Sequence, residues 1–297
     1  MLLLAGASCK QKTSQQEAEQ PESVAAEKLL LGGSGWNKVV VIDKDTKQVE
    51  WEYPIADGEE CNSVVSVPGG SVLLSYRGGA KLVDKDKSTV WDIEAPDGAE
   101  MQTVRQLPDG NYLLAWCGHP ATILEVNQNG EILSTTEYET GIENPHAQFR
   151  QVNKNDNGNY LLPLFATSEV QEVSPKGELV KTIALEGTPF TTLKKADGNY
   201  WVACGDAHSL VDVSLENGEI AKKYGENDFD GAKLFFVASL YPSKDGGLYV
   251  ANWQGHDPNA VEANSPQLFE IDKDGNIVWS INDNQNFGMI SAVDVVK

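Results

Sequence analysis

The chain has 297 residues, with 44 acidic side chains against 23 Lys and Arg, a formal charge of −21. No run of Lys and Arg exceeds two, and the acidic excess repels phosphate backbones and anionic bilayer faces, so a nucleic-acid binder is excluded. Apolar residues at 40% and charged residues at 23% describe a foldable globular chain, and no apolar run past residue 8 nears the roughly 18 residues of a membrane span.

Residues 1–9, Met1-Leu2-Leu3-Leu4-Ala5-Gly6-Ala7-Ser8-Cys9, form a short apolar run that ends in small side chains before a cysteine. This resembles the end of a bacterial lipoprotein signal, which implies lipidation at Cys9, a location at the cell envelope and membrane contact only through that anchor. Residues 10–27 are rich in Gln, Glu and Ser with almost nothing to bury, and read as a flexible polar linker ahead of a domain spanning 28–297. With Cys9 acylated, Cys61, Cys117 and Cys204 remain, which permits at most one disulfide and leaves an odd thiol. There is no C-x-x-C, Ser-His-Asp order, phosphate-cradling Gly loop or His-x-His pair, so neither cofactor nor metal is expected.

Self-similarity organises the rest. Segments at Val67–Leu74, Leu107–Leu114, Asn155–Leu162, Lys195–Val202 and Ser243–Val250 align without gaps on Gly70, Gly110, Gly158, Gly198 and Gly246, spaced 40, 48, 40 and 48. Apolar alternation on both sides of an Asp-Gly or Asn-Gly turn predicts one tight β-hairpin per structural unit. A second hairpin per unit starts near Val39, Lys81, Thr122, Val170, Leu210 and Leu268. Six second hairpins against five first ones leave one unit short. Met289–Val296 as an inner strand and Leu29–Gly32 as its neighbour complete it, which closes the ring and removes an exposed sheet edge. The expected fold is therefore all-β: a six-bladed β-propeller of four-stranded antiparallel blades, closed by pairing N- and C-terminal strands in one blade, and a monomer.

With strands named a to d from the axis outward, the a–b and c–d turns share one face and the b–c and d–a connections the other. The second face gathers the residues suited to recognition: Trp36, Tyr76, Arg77, Trp116, His119, His146, His208, Trp253 and His256, beside glycines that let a ligand approach the backbone. Trp51, Trp91 and Trp279 recur at one register of strand d and are assigned to packing between blades. Two inner strands share V/F-R-Q-L/V, and Arg105 and Arg150 are read as equivalent channel-lining cations, fit either to hold an anionic group or to staple strands.

Asn144-Pro145-His146-Ala147-Gln148-Phe149-Arg150, followed by Asn157-Gly158-Asn159-Tyr160, resembles the arylsulfotransferase-type propellers. That resemblance implies His146 as a catalytic nucleophile and Arg150 as a stabiliser of sulfuryl oxygens. The pieces D-K-D-G-N-I-V-W and V-E-W-E-Y-P are similar to repeats of pyrroloquinoline-quinone dehydrogenases, but six blades without an adjacent cysteine pair imply the repeat without the cofactor. Taken whole, the chain resembles the six-bladed propeller lipoproteins of Gram-negative bacteria. The leading expectation is a non-catalytic module that binds a small molecule, a saccharide or an envelope protein on its b–c face, with an enzyme using His146 at the channel mouth as the alternative.

Overall fold

The computed structural model describes residues 26–257, 259–260 and 264–297, so Cys9, most of the linker and part of the last b–c insertion lie outside the described residues. Six four-stranded antiparallel sheets form the blades of a propeller. Blade 1 takes strand a from Met289–Val295 and strands b to d from Lys28–Ser34, Lys38–Asp43 and Val49–Pro54. Blade 2 runs through Val64–Val67, Ser71–Tyr76, Gly79–Val83 and Thr89–Glu94, and blade 3 through Glu100–Gln106, Tyr112–Cys117, Ala121–Val126 and Ile132–Tyr138. Blade 4 uses Asn153–Lys154, Tyr160–Leu164, Glu169–Val173 and Leu179–Ala184; blade 5 uses Thr191–Lys194, Tyr200–Ala203, Leu210–Val213 and Ile220–Tyr224. Blade 6 uses Phe236–Pro242, Leu248–Trp253, Leu268–Ile271 and Ile277–Ile281. The ring closes where Leu29, Leu30 and Leu31 pair with Val295, Asp294 and Val293.

Burial follows from stacking these sheets face to face. Central strands such as Ser71–Tyr76 and Tyr112–Cys117 are buried on both faces, so their sequences run nearly continuously apolar, whereas the outer strands alternate or open to solvent. The apolar clusters lie between blades rather than within them: Leu73, Leu82 and Trp91 of blade 2 pack with Met101, Tyr112 and Leu114 of blade 3. Hairpin glycines such as Gly110, at φ +86°, take the left-handed conformation that the tight turn requires.

Each outer strand carries a bulge at the same register, opposite Val41/Ile42, Leu82/Val83, Glu125/Val126, Glu172/Val173, Asp212/Val213 and Glu270/Ile271. A bulge twists the strand and interrupts its outward row of hydrogen-bonding groups, which discourages pairing with another chain. Next to the bulge sits the staple between blades. The indole Nε1 groups of Trp51, Trp91 and Trp279 donate to Lys85 O (3.2 Å), Gln128 O (3.1 Å) and Lys44 O (2.9 Å), each in the c–d turn of the following blade. At the same register of blade 4, Lys181 Nζ donates to Glu216 O at 3.2 Å.

The three cysteines of the domain are free and buried, and burial pushes the Cys61, Cys117 and Cys204 thiols up to about 12.

Candidate functional site

Counting back from the hairpin glycines shows how the repeat builds the channel. The residues eight before the glycine are Asn62, Gln102, Arg150, Phe190 and Ala238, and those ten before it include Glu60, Glu100 and Phe236. They meet at the axial mouth on the b–c face, where Ser34, Glu60, Asn62, His146, Arg150, Phe165, Phe190, Phe236, Trp253, His256 and Ser291 line a recess of about 60 Å³. Blade 1 and the entries to blades 2 and 4 give the recess its polar side, and Phe165, Phe190, Phe236 and Trp253 of blades 4 to 6 give it an aromatic side.

The polar half is one connected network. Ser291 Oγ donates to Asn62 Oδ1 at 3.0 Å, Asn62 Nδ2 to Gln102 Oε1 at 2.9 Å, and Gln102 Nε2 to Glu100 Oε2 at 3.1 Å. Glu100 also meets His146 Nδ1 at 2.7 Å and Arg77 at 3.3 Å. The hydrogen bond from His146 holds the Glu100 carboxyl below its usual range, against the burial that pushes it up.

Arg150 closes the network from blade 4. Its Nη1 donates to the backbone oxygens of His146 (2.8 Å) and Phe149 (3.0 Å), its Nη2 reaches His146 Nε2 at 3.0 Å, and its head group lies 4.6 Å from the Phe165 ring centre. A guanidinium only donates, so Nε2 accepts and the proton of the His146 ring sits on Nδ1, facing Glu100. Both ring nitrogens are thus engaged, and no lone pair of His146 is left for nucleophilic attack in this arrangement.

In the aromatic half, Phe190 and Phe236 meet edge to face at 5.9 Å, and Phe236 meets Trp253 likewise at 5.5 Å. Two contacts fix Trp253: its Nε1 donates to Ser34 Oγ at 2.7 Å, and a Cβ at Gly255 would lie 2.2 Å from the ring, so only glycine leaves room for it. His256 packs edge-on to Trp253 at 4.8 Å and bonds Asp206 Oδ1 through Nδ1 at 2.8 Å. Phe236, Trp253 and His256 also wall a neighbouring cavity of about 310 Å³ that holds Asp206, His208 and Phe235.

The channel below is filled. Arg105 donates from Nη1 to Ser63 Oγ (2.9 Å) and Val104 O (3.1 Å), from Nε to Asn153 Oδ1 (3.1 Å), and from Nη2 to Gln151 Oε1 and, at 3.5 Å, to Thr191 Oγ1. Burial pushes its guanidinium down to about 10, with the Asp294 charge opposing that shift. These contacts overturn the expected equivalence of the two arginines. In the glycine register Arg105 aligns with Asn153, and Arg150 with Gln102, so Arg150 sits at the b–c mouth and Arg105 three residues further along, facing a cavity of about 260 Å³ at the opposite mouth. Matching the V/F-R-Q string slipped the alignment by three residues from the register that the hairpin glycines and the strand pairing set, in which Arg105 and Asn153 face Leu113 and Leu161.

Of the other residues singled out from sequence, His146, Arg150, Trp253 and His256 converge on the recess, Arg77 supports it through Glu100, and His208 lines the adjoining cavity. Trp36 does not reach it: the ring is buried, edge-on to Phe287 at 5.9 Å, because the blade 1–blade 6 junction must be filled there. Tyr76 turns outward to Asp92 Oδ1 at 2.7 Å with Lys81 over its ring, while Trp116 and His119 line a separate groove of about 560 Å³ between blades 2 and 3. Sequence reasoning missed Glu60, Asn62, Glu100, Gln102, Phe190 and Phe236. The glycine register would have found them had it been read backwards along strand a.

A family model described as Mal s 1 allergenic protein-like matches residues 33–276. The chain belongs to this family. Among solved structures, this Mal s 1-like chain is 55% identical to a protein of unknown function from Bacteroides caccae, with a TM-score of 0.90 over 92% of this chain and 100% of that one. A streptogramin B lyase (12% identity, TM-score 0.58, 88% of this chain and 85% of that one) shares the fold alone. So does a catalytically inactive virginiamycin B lyase from Staphylococcus aureus with quinupristin (12%, 0.59, 91% and 89%). No curated protein matches the sequence.

Proposed function

We propose that this protein is a non-catalytic binding module that takes part of a small ligand into the b–c mouth of the channel, held at the cell envelope through Cys9. The observation that carries this reading is the division of the mouth. Phe190, Phe236 and Trp253 offer ring faces and edges to an apolar or ring-shaped portion, and Ser291, Asn62 and Glu60 offer polar partners on the same recess, with Gln102 and Glu100 bonded behind Asn62. A recess of about 60 Å³ holds a few non-hydrogen atoms, so it fits the end of a ligand whose remainder lies over the 310 Å³ cavity behind Trp253.

The test is a thermal-shift screen of the full chain against saccharides, amino acids and small organic acids, with Trp253→Ala and, as a distant control, Trp116→Ala. Saturable stabilisation lost in the first variant and retained in the second is expected. Absence of any shift, together with capture of a folded envelope protein that Trp253→Ala abolishes, would replace the small ligand by a protein partner.

A further inference from the structure

Resting on that reading, we infer that the ligand is a small zwitterion of the amino-acid type, whose carboxylate takes the open donors of Arg150 while its ammonium group faces Glu60. Arg150 is 6% exposed, yet among the described residues no carboxylate makes an ion pair with it. Three of its five N–H groups are used, on His146 O, Phe149 O and His146 Nε2. The Nε–H and one Nη2–H remain on adjacent nitrogens, the pair of donors that a bidentate carboxylate takes. Glu60 and Glu100 act on this guanidinium only through space, and a buried guanidinium with donors unmet is costly to a fold; Arg105 shows how this chain satisfies one when only structure is at stake, since every N–H meets an acceptor.

On the same recess Glu60 carries a charge of the opposite sign. Its side-chain contact is Asn62 Nδ2 at 3.3 Å, and no Lys, Arg or His pairs with it among the described residues. The carboxylate behind the wall, Glu100, is already neutralised by Arg77 and bonded to His146. Among the described residues the recess of about 60 Å³ thus holds a cation and an anion that form no ion pair. A phosphate or sulfate would meet repulsion from Glu60, and a simple amine would meet Arg150. A molecule that carries both charges close together satisfies both, and its side chain would lie on Phe190, Phe236 and Trp253.

Isothermal titration of the full chain with L-phenylalanine and L-leucine, their N-acetyl derivatives and their amides tests this directly. Saturable binding of at least one free amino acid is expected. Its N-acetyl and amide forms should each bind roughly tenfold or more weakly, the factor removed with one charge-assisted hydrogen bond. Arg150→Lys should weaken the amino acid comparably, and Glu60→Gln, at a half-buried position where folding is not at risk, should erase the preference over the N-acetyl form. An N-acetyl form that binds as tightly as its parent, or a preference unchanged in Glu60→Gln, overturns the zwitterion. If no amino acid binds but another compound from the thermal-shift screen does so through Trp253, the ligand class is overturned and the binding module stands; if nothing binds, both are overturned.

Discussion

Replacing Arg105 and Arg150 separately with Met should give different answers. At Arg105, four hydrogen bonds of good length to a charged donor are lost, at about 1.5 kcal/mol each or about 6 kcal/mol in all. Against this stands the relief from burying the charge: a guanidinium lowered from 12.5 to about 10 corresponds to roughly 3 kcal/mol, somewhat less because the head group is reached by solvent from the opposite mouth. The net expectation is a loss of about 3 kcal/mol. At Arg150 only three bonds are lost, worth about 4.5 kcal/mol, and removing a buried charge with two donors unmet offsets part of that, so the loss should be smaller than at Arg105. Urea unfolding at neutral pH, followed by tryptophan fluorescence and far-UV circular dichroism with coincident transitions and unchanged slope, measures both. Equal losses at the two sites, or a larger one at Arg150, would refute the assignment of Arg105 to structure and Arg150 to a ligand.

Other outcomes follow from the same contacts. Trp91→Phe keeps an aromatic ring at the junction but removes the hydrogen bond to Gln128 O and some volume, and should cost about 1 to 2 kcal/mol in urea, whereas Trp91→Ala opens the blade 2–blade 3 junction and should cost about 3 to 5 kcal/mol. Because Glu100 is held below its ordinary value in the folded state, its contribution is complete above about pH 4.5 and is lost as the pH falls through the lowered folded value. Glu100→Gln should therefore flatten the acid limb of stability against pH, read as the difference from wild type. A thiol reagent at pH 8 should label none of Cys61, Cys117 and Cys204 in the native protein and all three in urea. Gly255→Ala should displace the Trp253 indole, seen as a shifted emission spectrum and a loss of ligand response with little change in stability.

The architecture was legible because it is written in spacing. A tight turn demands glycine at a fixed place, so Gly70, Gly110, Gly158, Gly198 and Gly246 mark the blades, and the leftover half-hairpins at the two ends identify the closure. The site was legible only in part. His146, Trp253 and His256 stand out as polar-tipped rings in loops, whereas Phe190 and Phe236 look like ordinary core residues, and nothing in the string tells a ring packed away from one left at a cavity wall. Trp36 misled for the opposite reason. It occupies a loop by sequence and the interior by packing. The paired state of a charge is likewise invisible before folding: Glu100 and Glu60 occupy the same repeat position, and only the fold gives one of them two partners and leaves the other with none of opposite sign among the described residues.

Closure by the first and last strands also sets a direction. Strand b of blade 1 begins at Lys28 beside Asp43, and strand a ends at Val295 beside Leu29, so both chain ends leave the ring on the side of the a–b and c–d turns. The recess opens on the other side. The proposed anchor at Cys9 would therefore leave the recess facing away from the point of attachment.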